Sequence, residues 1–124
     1  MAKFVPDATL DLFLGVIRDN ADRQDVCSTQ PTTYAEATAT YSLADVTMTT
    51  GTDYTQANGD SSGRKITVAQ KTGVTIDSAG SAQHLALTNG TDTLYAVTTC
   101  PSVALSTPGT MTINAWDIEI SDVS

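Results

Sequence analysis

The chain is poor in the residues that carry chemistry. Its 124 residues include a single histidine, His84, and two cysteines, Cys27 and Cys100, far apart in the sequence. Zinc sites gather their ligands at close spacings such as C-x-x-C, and no such spacing occurs. A nucleophilic cysteine needs a base or a cationic setting to make its thiolate, and neither cysteine opens a helix signal or stands in a basic cluster. His84 therefore reads as a strand residue, and the cysteines read as small buried hydrophobes of a reducing compartment. No catalytic residue, cofactor or metal is expected.

Positive charge is also scarce. Six Lys and Arg face fourteen Asp and Glu, for a formal net charge of −8 and a pI near 4.1. So acidic a chain is repelled by phosphate backbones and anionic bilayers, and its one adjacent basic pair, Arg64-Lys65, is too small a patch to reverse that. Neither nucleic acid nor membrane is an expected partner. Long apolar runs are missing as well. The stretch 10–17 is interrupted by Asp11 and Gly15, which suits an amphipathic helix rather than a membrane span. With no basic leader and apolar run at its start, the chain is expected to be made and folded in the cytoplasm.

Only 16% of residues are charged, against roughly 25% in an average domain, and threonine and serine fill the gap. Threonine favours extended backbone and still satisfies water on an exposed face, so this composition suits strands with one wet side. The length fits a single domain, 1–124. Pro6 and Asp7 signal a helix start, with Asp7 as candidate N-cap. Leu10, Phe13, Leu14 and Ile17 then follow the i, i+3, i+4, i+7 template, and Leu12 and Val16 widen the apolar stripe. The helix signal covers 1–22. It could pack on the β domain of its own chain or on a neighbouring subunit.

The remainder, 23–124, reads as β domain. Residues 23–28 look like a short strand. Residues 33–39 fit either one helical turn or extended chain, and 43–49 read as a strand with Leu43 and Val46 inward. Residues 50–63 hold little that wants burial and are punctuated by glycine, which predicts a long polar loop. Alternating segments follow. Ile66 and Val68 share one face, and so do Val74 and Ile76. Residues 83–88 and 93–98 flank Asn89-Gly90-Thr91-Asp92, the strongest hairpin signal, since Asn-Gly takes positive φ cheaply. Residues 102–106 form another candidate strand, Pro108-Gly109 a turn, and 110–120 a last strand with Trp116, Ile118 and Ile120 on one face. Turns recurring about every 8 to 12 residues predict an antiparallel β-sandwich or barrel-like meander preceded by one N-terminal amphipathic α-helix.

Four weaker chemical patterns are present. Asp53, Asn58 and Asp60 could offer oxygens to a hard cation, but their spacing departs from an EF-hand and a solvated loop suffices. Asp117 and Glu119 share a strand face as a glycosidase pair might, yet beside Asp122 they read as a solvated acidic surface. Residues 58–65 have glycines without phosphate-loop spacing, and Asn89-Gly90-Thr91, though a glycosylation sequon, is explained by its turn.

Three motifs resemble small virion proteins of tailed bacteriophages. They are Phe4-Val5-Pro6-Asp7-Ala8, then Val26-Cys27-Ser28-Thr29-Gln30-Pro31 with Thr33-Tyr34-Ala35-Glu36-Ala37, and Ser81-Ala82-Gln83-His84-Leu85-Ala86-Leu87. The resemblance spans nearly the whole chain and implies a non-enzymatic structural component, present in many copies, with capsid decoration (cement) the favoured role. It implies the major capsid protein and sister subunits as partners, and the capsid surface of the virion as location. The expected contact residues are Phe13, Leu14 and Ile17 on the helix and Asp53, Tyr54, Asn58 and Asp60 in the loop. A tail or neck component is the alternative, and a small carbohydrate- or cation-binding β module, using aromatics such as Tyr34, Tyr41, Tyr54, Tyr95 or Trp116, is a third reading.

Overall fold

The computed structural model describes residues 5–121. Phe4, which opens the first virion-protein motif, and Asp122, beside the carboxyl pair, lie outside the described residues. The fold is mainly β, with one N-terminal helix and antiparallel sheets. After α1 (Asp7–Asn20) come β1 (Arg23–Cys27), a π-helical turn (Glu36–Thr40), β2 (Ser42–Thr47), β3 (Tyr54–Asn58) and β4 (Arg64–Val68). The chain continues with β5 (Lys71–Thr75), β6 (Gly80–Thr88), β7 (Leu94–Leu105), β8 (Thr110–Ile113) and β9 (Trp116–Ile120).

One layer is the four-stranded sheet β2-β1-β6-β7, and a three-stranded sheet β3-β4-β9 and a two-stranded pair β5-β8 pack against its inner face. Val26, Ala44 and Leu85 on that face meet Val74 and Ile113 of the β5-β8 pair and Ile76, which follows β5 and bridges Ala44. Leu87 meets Ile66, Val68 and Tyr54 of the other sheet, together with Leu14 of α1. Trp116 packs against both groups, and its indole Nε1 donates to the Gln24 Oε1 at 2.8 Å. The outer face of the large sheet is covered where Ala37 of the π-helical turn sits on Cys27 and Ala86. This explains why β1, at the centre, is buried on both faces despite its polar sequence.

Several sequence expectations are corrected. Residues 50–63 are not one exposed loop. Tyr54 is only 3% exposed and its hydroxyl donates to the Ala21 carbonyl at 2.6 Å, which seeds β3 inside the segment. Its polar neighbours mask a period-two pattern. Gly63 closes the β3–β4 turn at φ +71°, where a Cβ would fall 1.9 Å from the Ile120 carbonyl, so no other residue fits without moving β9. Residues 102–106 are not a separate strand, because β7 runs on through them with irregular pairing to β6. Residues 110–120 are split between two sheets. Ile113 and Trp116 both turn inward, and an odd spacing of three is incompatible with strand alternation, so the chain breaks at Asn114-Ala115. Residues 33–39 settle as helical turn, with the Tyr41 amide donating to the Glu36 carbonyl at 2.9 Å.

The turn at 89–92 works differently from expectation. Gly90 has φ +70°, but Asn89 does not take positive φ. Instead its Oδ1 accepts from the amides of Thr91, Asp92 and Thr93 at 2.9–3.0 Å, an Asx-type cap on a longer loop. Asp7 is the first helical residue rather than a side-chain cap. The Pro6 carbonyl accepts from the Thr9 and Leu10 amides, and the Asp7 charge suits the helix N-terminus.

One acidic junction has a testable consequence. The Asp77 and Ser78 amides both donate to the Leu43 carbonyl, pinning the β5–β6 connection to β2. Hydrogen bonding to Asp45 above all, then lost solvation and the Asp45 charge, pushes the Asp77 carboxyl above its ordinary value; Asp25 adds to this and Arg23 opposes it. A carboxyl raised in the folded state contributes stability at acidic pH that is lost as pH rises through the raised value. Asp77→Asn is therefore expected to raise the melting temperature at neutral pH and to leave it nearly unchanged in acid, read by thermal scans at both.

Candidate functional site

Helix α1 is fastened to its own chain. Arg64 Nε donates to the Asp11 carboxylate at 2.8 Å, Gln56 Nε2 to the Asp11 carbonyl at 3.0 Å, and the Gly51 amide to the Arg18 carbonyl at 2.9 Å. Arg18 also donates to Gln56. Leu10 and Leu14 are buried beneath it, and Ile17 is half-buried against the same core. The expectation that Leu14 is a contact residue is thus corrected: at 1% exposure it holds the helix down. Tyr54 is corrected for the same reason.

The other side of the helix is bare. Leu12 is 71% exposed, Phe13 59% and Val16 51%. Only Val103 joins them as a large exposed hydrophobic among the described residues. Residues 12, 13 and 16 cluster on one helical face, so they form a continuous apolar stripe rather than scattered side chains. The sequence pattern merged two faces into one wide stripe. Phe13, grouped there with Leu10 and Leu14, belongs instead with Leu12 and Val16. The cue was in the sequence: an apolar arc that wide exceeds what one side of a helix can bury against a sheet.

The polar candidates of 50–63 stay within the fold's own bonding. Asp53 accepts from the Thr49 amide at 2.6 Å and pairs with Lys71 at 2.8 Å, and these contacts hold its carboxyl below the ordinary value against the opposing effect of burial. Asn58 accepts from Arg64 at 2.7 Å. Asp60 pairs with Lys65 at 2.7 Å, and its amide donates to Glu119. Asn58 and Asp60 remain on the surface, whereas Asp53 is largely enclosed. Asp117 accepts from Thr67 at 2.7 Å and lies 3.4 Å from Lys65, so the 117/119 pair is tied into the β4–β9 ladder. No group of three or more His, Cys, Asp or Glu among the described residues could hold a metal ion.

Cys27 and His84 stand opposite each other in the β1–β6 register, an adjacency that sequence distance hid. Burial, with a smaller push from Asp25, lifts the Cys27 thiol to about 12. Its Sγ donates to the Ala37 carbonyl at 3.4 Å. At neutral pH Cys27 is a protonated thiol packed against Ala37 and Ala86, without the thiolate a nucleophile requires. Cys100 lies on the inner face against the other core group, and both cysteines are free.

A cavity of about 450 Å³ lies between β7 and the 111–117 segment, floored by Val26, Leu85, Ile113 and Trp116. It opens to solvent past Pro101, Val103 and Thr112, all exposed. No family model, curated protein or solved structure matches this chain. No helix among the described residues is long and apolar enough to cross a membrane. Three of the four large exposed hydrophobics among the described residues lie on the α1 stripe.

Proposed function

We propose that the protein is a structural component of a tailed-bacteriophage virion, a capsid decoration protein that binds the assembled head from outside through α1. The observation that carries this reading is the exposed stripe Leu12-Phe13-Val16 on a helix whose opposite side is locked into the domain. A fixed helix presenting an apolar face offers a rigid anchor that loses little entropy on docking, as helix-in-groove recognition requires. The occupant is the major capsid protein. Binding in many copies to a repeating shell lets modest single contacts sum to stable attachment, and the motif resemblance points to that setting. Ile17 on α1, and Asn58 and Asp60 at the β3–β4 turn, where they bond Arg64 and Lys65, serve as rim positions at most. The role needs no catalytic group, cofactor or metal.

Phe13→Asp is the direct test. Phe13 is 59% exposed, so the variant is expected to keep its melting temperature within about 3 °C, as a surface change of about 0.5 kcal/mol or less implies. Its binding to purified empty heads is expected to fall by about tenfold or more, measured by co-sedimentation, because a charge would enter an apolar contact. Full binding by a folded Phe13→Asp protein would refute α1 as the anchor. Gold labelling of whole particles locates the role itself: label over the entire shell supports decoration, while label at a single vertex replaces it with the tail or neck reading.

A further inference from the structure

The chain carries a net charge of −8, yet residues 93–116 contain no Asp, Glu, Lys, Arg or His. That uncharged stretch forms β7, β8 and the rim of the cavity. β7 is the end strand of the large sheet, so one side of its backbone has no strand partner among the described residues. Edge strands are normally guarded by charge or cover. The other edges are guarded so: β2 carries Asp45, β9 carries Asp117 and Glu119, β5 carries Lys71, and α1 lies bonded across β3 through Gln56. β8 is only four residues long. β7 has twelve residues and no charge, and no second strand pairs with it among the described residues.

We propose that a second copy of this chain pairs with β7, edge to edge and antiparallel across a two-fold axis, over residues 94–100. Pro101 has no amide to donate and sets the far limit of the pairing. The segment is rich in strand formers, with Leu94, Tyr95, Val97, Thr98 and Thr99 in succession around Ala96. Charge selects the occupant. Two copies at −8 repel each other across their acidic faces, and β7 is the one long sheet edge, among the described strands, along which they meet without opposing like charges and which α1 does not cover. A basic partner would gain nothing from this neutral edge and would be drawn elsewhere. An antiparallel two-fold contact is self-complementary, so it closes at a dimer and does not propagate. The pairing joins two four-stranded sheets into one continuous sheet and brings the partner alongside the mouth of the cavity. Shell binding plays no part in this inference.

Sedimentation velocity of the full chain over a concentration series, at low and high salt, tests it. A monomer–dimer equilibrium is expected that tightens with salt, because screening weakens the repulsion between like-charged copies. Hydrogen exchange on the unmodified protein should show amides of residues 94–100 gaining protection as concentration rises. Thr99→Asp, at an exposed position, should weaken dimerisation by about tenfold or more. Thr55→Asp, exposed on β3, should leave it unchanged. A chain that stays monomeric at every concentration and salt overturns the proposal. So does a dimer whose concentration-dependent protection falls on α1 or β9 instead.

Discussion

Leu14→Ala is expected to destabilise the domain by about 2–5 kcal/mol, whereas Phe13→Ala next to it should cost no more than about 0.5 kcal/mol. Leu14 is 1% exposed and packs among Ala21, Met48, Tyr54, Ile66, Val68 and Leu87. Removing its isobutyl group strips contacts from α1 and from both sheets at once. The helix is bonded over the site at Asp11 and Arg18, so it cannot settle easily into the void. The loss is therefore expected in the upper part of that range. Phe13 leaves the same helix for solvent at 59% exposure and has little packing to lose. Parallel urea titrations of the two variants measure the contrast. Equal losses would mean that the bare stripe is part of the protein's own core, and the docking reading would fall with it.

Asp25→Ala should be comparably damaging, at about 3 kcal/mol. The Asp25 side chain is fully buried at the centre of β1 and is held by Arg23 through two bonds, at 2.7 and 2.9 Å, and by the Ser42 hydroxyl at 2.6 Å. Alanine would leave both donors facing an apolar gap. The cost is set at the low end of the range for broken buried pairs because the Arg23 side chain is 29% exposed and lies 3.6 Å from Asp45. Its guanidinium can turn towards that carboxylate and water. Replacing both members of the pair by apolar residues should cost less than the single change, since no charge is then stranded. Chemical denaturation of the single and double variants would show it, and additive losses would mean that the two residues act independently.

Asp25 also marks where sequence reading stops. A carboxylate in a short strand predicts a wet face, and the pattern of β1 gives no sign that both its faces are covered. That cover comes from the π-helical turn at Glu36–Thr40, nine or more residues further on, whose Ala37 closes over Cys27 and Ala86. The Ile66/Val68 and Val74/Ile76 alternations, by contrast, were readable, because a strand with one dry face must alternate wherever it lies. Tyr54 was missed because one aromatic among threonines, glycines and acids carries no periodicity, and its burial depends on a carbonyl at Ala21 that folding brings to it.

The sequence by itself determined the class of molecule: a threonine-rich antiparallel β protein with one N-terminal amphipathic helix, acidic overall and free of charge along 93–116. Those features follow from local preference and from summed charge, which need no knowledge of neighbours. Only the tertiary structure decided which side of α1 is glued down, leaving Leu12, Phe13 and Val16 outside, and which strand ends a sheet, leaving the uncharged edge of β7 open. Both are properties of pairing between distant segments. A residue's own chemistry says that it can be buried or bonded, while the partner that buries or bonds it is chosen by the fold.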